Sequence, residues 1–197
     1  MSVFVKICGL SDQQQVDSAV AAGANALGFV FAESVRKVTP GQARSISAKV
    51  PQHVKRVAVM LHPANDEWLE VLKIFEPDVL QTDSDDFDSL DVPYPVERWP
   101  VFREGGPRPD SDGTFVFEGS KSGQGETVDW SAAAGLAANG DMILAGGLDV
   151  GNVGQAIATV RPWGVDVSSG VESSPGKKDS ALINQFISAV RAAEKHL

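Results

Sequence analysis

The 197-residue chain is predicted to be a single α/β domain, a (β/α)8 TIM barrel that spans residues 1–197. Eight apolar runs of strand length alternate with amphipathic stretches, which is the order expected of βα units around a parallel sheet. The last two of these runs end in glycine-rich turns, and the final βα loops of such a barrel commonly bind phosphate. The length is close to the lower limit for an eightfold barrel, so we expect no second domain.

The eight predicted strands are short and are separated by helix or loop segments. They are Val3–Cys8, Ala26–Phe31, Val54–Leu61, Asp78–Asp83, Val96–Arg103, Thr114–Glu118, Met142–Ala145 and Val165–Ser168.

Helical patterns follow most of the strands. They cover Ser11–Ala22, Pro40–Lys49, Asn65–Phe75, Trp130–Ala138, Asn152–Val160 and Ser180–Lys195. Thr39 before Pro40 is predicted to cap one helix, and Asp179 is predicted to cap the last. Ser84–Leu90 is brief and acidic, and Glu104–Asp112 is a Gly/Pro/Asp loop, so we expect a thin or missing helix after the fifth strand.

The composition excludes several classes of protein. An apolar content of 43% and a charged content of 22% are ordinary for a globular domain. The formal charge of −9 argues against nucleic acid and anionic membranes as partners. No run reaches the length of a membrane span, and the amino terminus has no signal-peptide pattern. A single cysteine permits no internal disulfide, which fits the cytoplasm.

Period-two alternation predicts which side chains point into the barrel. In the first strand Lys6 and Cys8 share one side, and the other side is entirely aliphatic and should pack under the helices. In the last strand Asp166 and Ser168 point inward for the same reason. The first and last strands are neighbours in a closed barrel, so we predict a buried ion pair between Lys6 and Asp166.

Two glycine turns are candidates for an anion site. Met142–Leu148 and Gly164–Glu172 are each a strand-like run followed by small residues and a segment that can open a helix. Backbone N–H groups at such a turn can hold a phosphate, although the glycines could equally serve only to turn the chain tightly. We favour phosphate binding, with four candidate residues: Gly146, Gly147, Ser169 and Gly170.

Three further residues are candidates for chemistry, each with an ordinary structural alternative. Cys8 ends the first strand at the catalytic end of the barrel, but a lone cysteine is often a small buried hydrophobe. Asp129 is either functional or the N-cap of the helix that begins at Trp130. Arg36 follows the second strand and could bind a carboxylate in bidentate fashion, or could simply be solvated.

Metal-driven and nucleotide-driven reactions are disfavoured. The three histidines, His53, His62 and His196, show no paired metal-ligand spacing, and no dinucleotide or P-loop motif occurs. We expect no metal site.

The motifs together resemble the phosphoribosylanthranilate isomerase family, and the match runs from end to end. They are Lys6–Leu10 (KICGL), Gly28–Phe31 (GFVF), Ser34–Pro40 (SVRKVTP), Val128–Trp130 (VDW), Leu144–Leu148 (LAGGL) and Gly164–Glu172 (GVDVSSGVE). The resemblance implies a cofactor-free (β/α)8 barrel of tryptophan biosynthesis, monomeric or homodimeric, that acts on a small phosphosugar. Its reaction is an Amadori rearrangement of N-(5-phosphoribosyl)anthranilate to an aminodeoxyribulose phosphate.

The resemblance also implies roles for individual residues. Cys8 would be the general base that removes the proton from C2 of the ribose, and Asp129 the general acid that protonates the ring oxygen. Arg36 would hold the anthranilate moiety, and the two glycine turns would hold the phosphate. An aldose-to-ketose shift needs only one acid and one base, which agrees with this assignment. An ordinary thiol is mostly protonated at neutral pH, so Cys8 needs a helper such as Lys6.

Two positions depart from the family pattern. Gln81–Ser84 reads Gln-Thr-Asp-Ser where the family commonly has Gln-Leu-His-Gly, so the substrate-site candidate Asp83 replaces a histidine. Glu118 stands where an aspartate is usual. Because an ionised Asp83 would repel an anionic substrate, we expect its side chain to turn away and to bind a backbone N–H or a cation such as Arg36.

Two other functions share part of this pattern. Another phosphosugar barrel enzyme, such as an epimerase or indole-glycerol-phosphate synthase, would keep the phosphate turns but should lack the pairing of Cys8 with Asp129. A catalytically inactive homologue that only binds phosphosugars would have lost the acid or the base. Both residues are present here, which favours the isomerase.

Overall fold

A computed structural model describes residues 2–107, 113–119 and 128–197. Eight parallel strands form a closed barrel in which each strand pairs with the next along the chain and the last pairs with the first. The (β/α)8 prediction is therefore confirmed, and every strand boundary lies within two residues of its prediction. The strands are β1 Phe4–Cys8, β2 Ala26–Val30, β3 Lys55–Val59, β4 Val79–Asp83, β5 Glu97–Arg103, β6 Thr114–Glu118, β7 Asp141–Leu144 and β8 Gly164–Val167.

Six α-helices surround the described part of the barrel. They are α1 Gln13–Ala22, α2 Pro40–Ile46, α3 Asn65–Phe75, α4 Trp130–Ala134, α5 Val153–Val160 and α6 Ser180–Ala193. The predicted caps form: Thr39 and Gln42 make a reciprocal capping box, and Asp179 accepts hydrogen bonds from the first turn of α6. Two helices, α2 and α4, end well before their predicted last residues, Lys49 and Ala138. The Ser47 hydroxyl donates to the Ala43 carbonyl at 2.6 Å where α2 ends, and α4 ends at Ala134 with Gly135 as its C-cap.

The outer ring is thin where the sequence predicts it. A 3-10 helix, Ser84–Asp88, is the only helix between β4 and β5. Between β5 and β6 the described residues contain no helix, and 108–112 of the predicted loop lie outside the described residues. A short antiparallel hairpin that the sequence did not predict, formed by β9 Glu172–Ser174 and β10 Lys177–Lys178, follows β8.

Alternation along the strands separates two apolar cores. The aliphatic side of β1 (Val3, Val5, Ile7) is buried among residues of the surrounding helices, as predicted. A second cluster fills the inside of the barrel and contains Val57, Trp99 and Ile143 among others. Polar side chains replace this apolar filling toward the carboxyl ends of the strands, which is where the functional residues of this fold lie. In the described residues, no helix is both long and apolar enough to cross a membrane.

Candidate active site

A cavity of about 360 Å³ opens at the carboxyl-terminal end of the barrel. Residues from all eight strands or from the loops that follow them line it. Six of the eight predicted site residues are among them: Cys8, Arg36, Asp83, Gly146, Gly147 and Ser169. The topology thus brings together residues that lie far apart in the sequence.

Cys8 lies at the base of this cavity at the end of β1, with only 8% of its surface exposed. It faces Gly28 on the adjacent strand, where an added Cβ would lie 2.8 Å from the Cys8 sulfur and 3.2 Å from Cε of Lys6. A glycine at this position therefore makes room for both side chains. Burial raises the pKa of the Cys8 thiol and outweighs the opposing effect of the nearby charges of Lys6 and Lys178.

Lys6 and Asp166 form the predicted ion pair inside the barrel. Lys6 Nζ donates to Asp166 Oδ2 at 2.7 Å, across directly paired positions of β1 and β8. The lysine is fully buried, which by itself would lower its pKa, but the charges of Asp166 and Cys8 reverse that effect and the pKa of Lys6 is raised. Lys6 therefore remains a fixed positive charge next to the thiol.

The turn after β7 adopts the conformation that its glycines permit. Gly146 and Gly147 have φ values of 92° and 60°, in the left-handed region that residues with a Cβ rarely adopt. The Asn152 side chain donates to the Gly147 carbonyl at 2.8 Å and holds the turn against the start of α5. Both glycines line the cavity, as does Ser169 from the turn after β8. Phosphate binding at these turns stays a prediction.

Gly170 packs closely against the turn after β7, and its predicted part in phosphate binding stays a prediction. It is not among the described cavity-lining residues, and an added Cβ would lie 2.0 Å from the Leu148 carbonyl oxygen. Gly170 and Asp149 form an isolated parallel bridge. The absence of a side chain at Gly170 therefore allows the turns after β7 and β8 to pack against each other.

Glu172 joins two cations beside the cavity. Arg36 donates to it in bidentate fashion, from Nε at 2.7 Å and from Nη2 at 2.9 Å, and Lys178 donates to it at 2.6 Å. Burial alone would raise the pKa of Glu172, but the hydrogen bonds from Arg36 and Lys178 overcome this and lower it to about 2. Lys178 also donates to the Ser168 hydroxyl, which in turn donates to the Cys8 carbonyl at 3.1 Å. This network connects the hairpin after β8 to the end of β1.

Asp83 is bound to a cation, as expected, but that cation is Arg103 and not Arg36, and the side chain lines the cavity rather than turning away from it. Its carboxylate forms an ion pair with Arg103, which also binds Glu118 at 3.0 Å. Arg36 is instead held by Glu172. Asp83 is the last residue of β4 and Arg103 is the last residue of the neighbouring strand β5, and both side chains lie inside the barrel. Arg103 therefore lies closer to Asp83 than Arg36 does, because Arg36 lies in a loop.

Asp129 is the N-cap of α4. Its carboxylate accepts hydrogen bonds from the backbone N–H groups of Ser131 and Ala132, and its own N–H donates to Glu104 after β5. The side chain is exposed and is not among the described residues that line the cavity. The glycine-rich loop just before it lies outside the described residues. That Asp129 faces Cys8 across the cavity therefore stays a prediction.

Four residues of the site were missed by the sequence reasoning. Gln81 and Arg103 lie on the inward faces of β4 and β5, where alternation alone could have placed them. Glu172 is the last residue of the Gly164–Glu172 motif, in which only the glycine turn was considered as a candidate site. Lys178 had no usable signal, because paired lysines in a loop are usually solvated. Within the described part of the chain, no group of three histidine, cysteine or acidic residues could hold a metal ion.

The fold and the position of this cavity define the class of protein. A closed barrel of eight parallel strands, with a buried thiol and glycine turns at its carboxyl-terminal end, is a (β/α)8-barrel enzyme.

Comparison with known proteins gives the family. The family model for N-(5'-phosphoribosyl)anthranilate (PRA) isomerase matches residues 5–189, so the chain belongs to this family. N-(5'-phosphoribosyl)anthranilate isomerase of Bordetella pertussis is 37% identical over 215 aligned residues, covering 99% of both chains. The enzyme of Desulforamulus reducens is 40% identical and covers 96% of this chain and 95% of its own.

Solved structures agree with this assignment. TrpF from Jonesia denitrificans superposes with a TM-score of 0.83 at 31% identity, covering 98% of each chain. A phosphoribosyl anthranilate isomerase in complex with reduced 1-(o-carboxyphenylamino)-1-deoxyribulose 5-phosphate superposes with a TM-score of 0.75 at 29% identity, covering 96% of this chain and 99% of its own.

Proposed function

We propose that the chain converts N-(5-phosphoribosyl)anthranilate to 1-(2-carboxyphenylamino)-1-deoxyribulose 5-phosphate, an Amadori rearrangement in tryptophan biosynthesis. The observation that carries this proposal is the family match over residues 5–189. The related enzyme with the reduced form of this product bound supports the same substrate for the present cavity. The reaction moves hydrogen within one molecule and is redox-neutral, so we propose no cofactor.

Cys8 is the proposed general base, which takes the proton from C2 of the ribose. Because burial raises the pKa of its thiol, the thiolate needs compensating positive charge. Lys6 is fixed beside it by Asp166, and Lys178 is fixed by Glu172 and Ser168. Two buried ammonium groups therefore stabilise the negative charge when the proton leaves, and neither has to move during the reaction.

Asp129 is the proposed general acid for the ring oxygen. It follows β6, at the same end of the barrel as Cys8. Its carboxylate uses Oδ1 to cap α4, with Ser131 N–H at 2.8 Å and Ala132 N–H at 3.3 Å, and among the described residues Oδ2 has no hydrogen-bond partner, so we propose that it carries the proton. This arrangement allows the cap and the acid to be tested separately.

The anionic ends of the substrate have separate candidate partners. Nε and Nη2 of Arg36 are used by Glu172, and Nη1, which has no hydrogen-bond partner among the described residues, is the proposed donor to the anthranilate carboxylate. The turn at Gly146 and Gly147, together with Ser169 and Gly170, is the proposed phosphate site, since backbone N–H groups can approach an anion there. A cytoplasmic location and a monomeric or homodimeric state belong to the proposal as well. A related enzyme from Thermotoga maritima is described as dimeric.

The direct test adds purified protein to phosphoribosylanthranilate and follows the loss of anthranilate-type fluorescence. A rate above the uncatalysed reaction supports the function. Cys8→Ser should lower turnover by about 10²–10⁴, the usual contribution of a positioned base, with little change in KM. A protein that binds the substrate without turning it over would show that the function is wrong.

Two substitutions at Asp129 separate its roles. Asparagine is as good an N-cap as aspartate but cannot donate a proton from a carboxyl group, so Asp129→Asn should keep the stability and lose turnover by about 10²–10⁴. Asp129→Ala should lose turnover to the same extent and also about 1 kcal/mol of stability. Full turnover in Asp129→Asn would show that the residue is only a cap.

A further inference from the structure

Two buried acceptor atoms in the cavity have no hydrogen-bond partner within the described part of the protein. They are Oε1 of Gln81 and Oδ1 of Asp166. Gln81 is 6% exposed and Asp166 is 8% exposed, and both line the cavity. Buried polar atoms in folded proteins nearly always have a partner, so these two atoms need an explanation.

The local structure determines where these acceptors lie. Gln81 is on β4 and Asp166 is on β8, and strands four apart in a closed barrel of eight lie on opposite sides. Asp166 cannot rotate freely, because its other oxygen accepts the hydrogen bond from Lys6 at 2.7 Å. The two unpartnered oxygens therefore belong to opposite walls of one cavity, with Cys8 on the strand next to β8.

The chemistry of the acceptors restricts what can satisfy them. An oxygen of an ionised carboxylate or of an amide accepts hydrogen bonds and donates none. The phosphate and the carboxylate of the proposed substrate are also acceptors, so neither can pair with these atoms. The ring oxygen is an acceptor as well, so the groups of the substrate that can donate are the ribose hydroxyls and the amine N–H.

We infer that Gln81 and Asp166 form a hydroxyl-binding subsite that holds the ribose from two sides, above the base of the barrel. This inference rests on the proposed function, and it adds that the ribose is the part of the substrate that lies deepest in the cavity. The sugar then lies between the walls with C2 next to Cys8, while the phosphate and the anthranilate extend toward the glycine turns and Arg36. Gln81 is the specificity residue that can be changed cleanly, because replacing Asp166 would leave Lys6 buried without its partner.

The first test compares the binding of ribose 5-phosphate, 2-deoxyribose 5-phosphate and 3-deoxyribose 5-phosphate by calorimetry. The wild-type protein should bind at least one deoxy sugar about tenfold more weakly than ribose 5-phosphate, the effect of one lost hydrogen bond. Gln81→Met, which keeps the length and removes the acceptor, should reduce that discrimination. Thr82→Val is the matched control on the same strand, because the Thr82 hydroxyl donates to Asp86 outside the cavity. It should leave the discrimination unchanged.

The outcomes separate the inference from the proposed function. Equal binding of all three sugar phosphates by the wild-type protein, or undiminished discrimination by Gln81→Met, would refute the subsite while leaving the isomerase function intact. Failure of every sugar phosphate to bind would count against the phosphosugar function itself, and it would also refute the subsite.

A second measurement needs no ligand. If Gln81 Oε1 is an unpaired buried acceptor, an apolar side chain of similar size is better accommodated, so Gln81→Met should raise the Tm of the free protein by about 2–4 °C. The variant would then be more stable and bind ribose 5-phosphate less well. A lower Tm would show that the oxygen has a partner within the protein and would overturn the inference.

Discussion

Glu172 should control both the stability of the cavity wall and its response to acid. Glu172→Gln keeps the size of the side chain and removes the charge that holds Arg36 and Lys178. The pKa of Glu172 falls from the ordinary value of 4.5 to about 2 in the folded protein. That difference corresponds to about 3 kcal/mol, and screening by solvent at the cavity entrance reduces it, so we expect a loss of about 2–3 kcal/mol at pH 7.

The sign of the pH dependence follows from the lowered pKa. Above pH 4.5 the carboxylate is ionised in both the folded and the unfolded chain, and its full stabilisation is present. As the pH falls from 4.5 toward 2, the unfolded chain takes up the proton first, and the stabilisation is progressively lost. The difference in stability between wild type and Glu172→Gln should therefore be constant above about pH 5 and shrink below it.

Urea unfolding at a series of pH values measures this difference. Glu76→Gln is the matched control, because Glu76 forms an exposed ion pair with Arg44 at 3.0 Å, with side-chain exposures of 62% and 52%. The control should cost less than about 1 kcal/mol. A difference for Glu172→Gln that is as small as the control's, or that stays constant down to pH 2, would refute the buried-anion account of this residue.

Three further predictions concern the cavity and the barrel interior. Gly147→Val should raise KM more than it lowers turnover, because a Cβ blocks the proposed phosphate site; steady-state kinetics with an unchanged KM would place the phosphate elsewhere. Asp83→His should lower KM with turnover nearly unchanged, because it removes a repulsion of about 1–4 kcal/mol between Asp83 and the anionic substrate and releases Arg103. Asp83→Asn should act similarly. A several-fold rise in KM in both variants would show that Asp83 has an active role. Lys6→Met should cost about 3–5 kcal/mol in urea unfolding, because Asp166 stays buried without its cation, and a cost below 1 kcal/mol would show that Asp166 becomes protonated or solvated.

Much of the barrel was predictable from the sequence because strand alternation and helix capping are local. The period-two pattern placed Lys6 and Asp166 inside, and closure of the barrel then made them neighbours. The same reasoning placed Cys8 at the carboxyl end of β1. Thr39 and Asp179 capped their helices as predicted, since an N-cap interacts only with the next three residues.

The pairing of charges around the cavity was decided only by the tertiary structure. Arg36 and Glu172 are 136 residues apart, and the hairpin that presents Lys178 to Glu172 had no signal in the sequence. Asp83 has Arg103 as its partner because β4 and β5 are neighbouring strands, with Asp83 paired to Val101 and Arg103 two residues further along β5. Ion pairing depends on distances between loops and strands that no local pattern encodes. The sequence by itself thus determined the strands and most of the predicted residues that reach the cavity, and the folded structure decided which side chains bind one another.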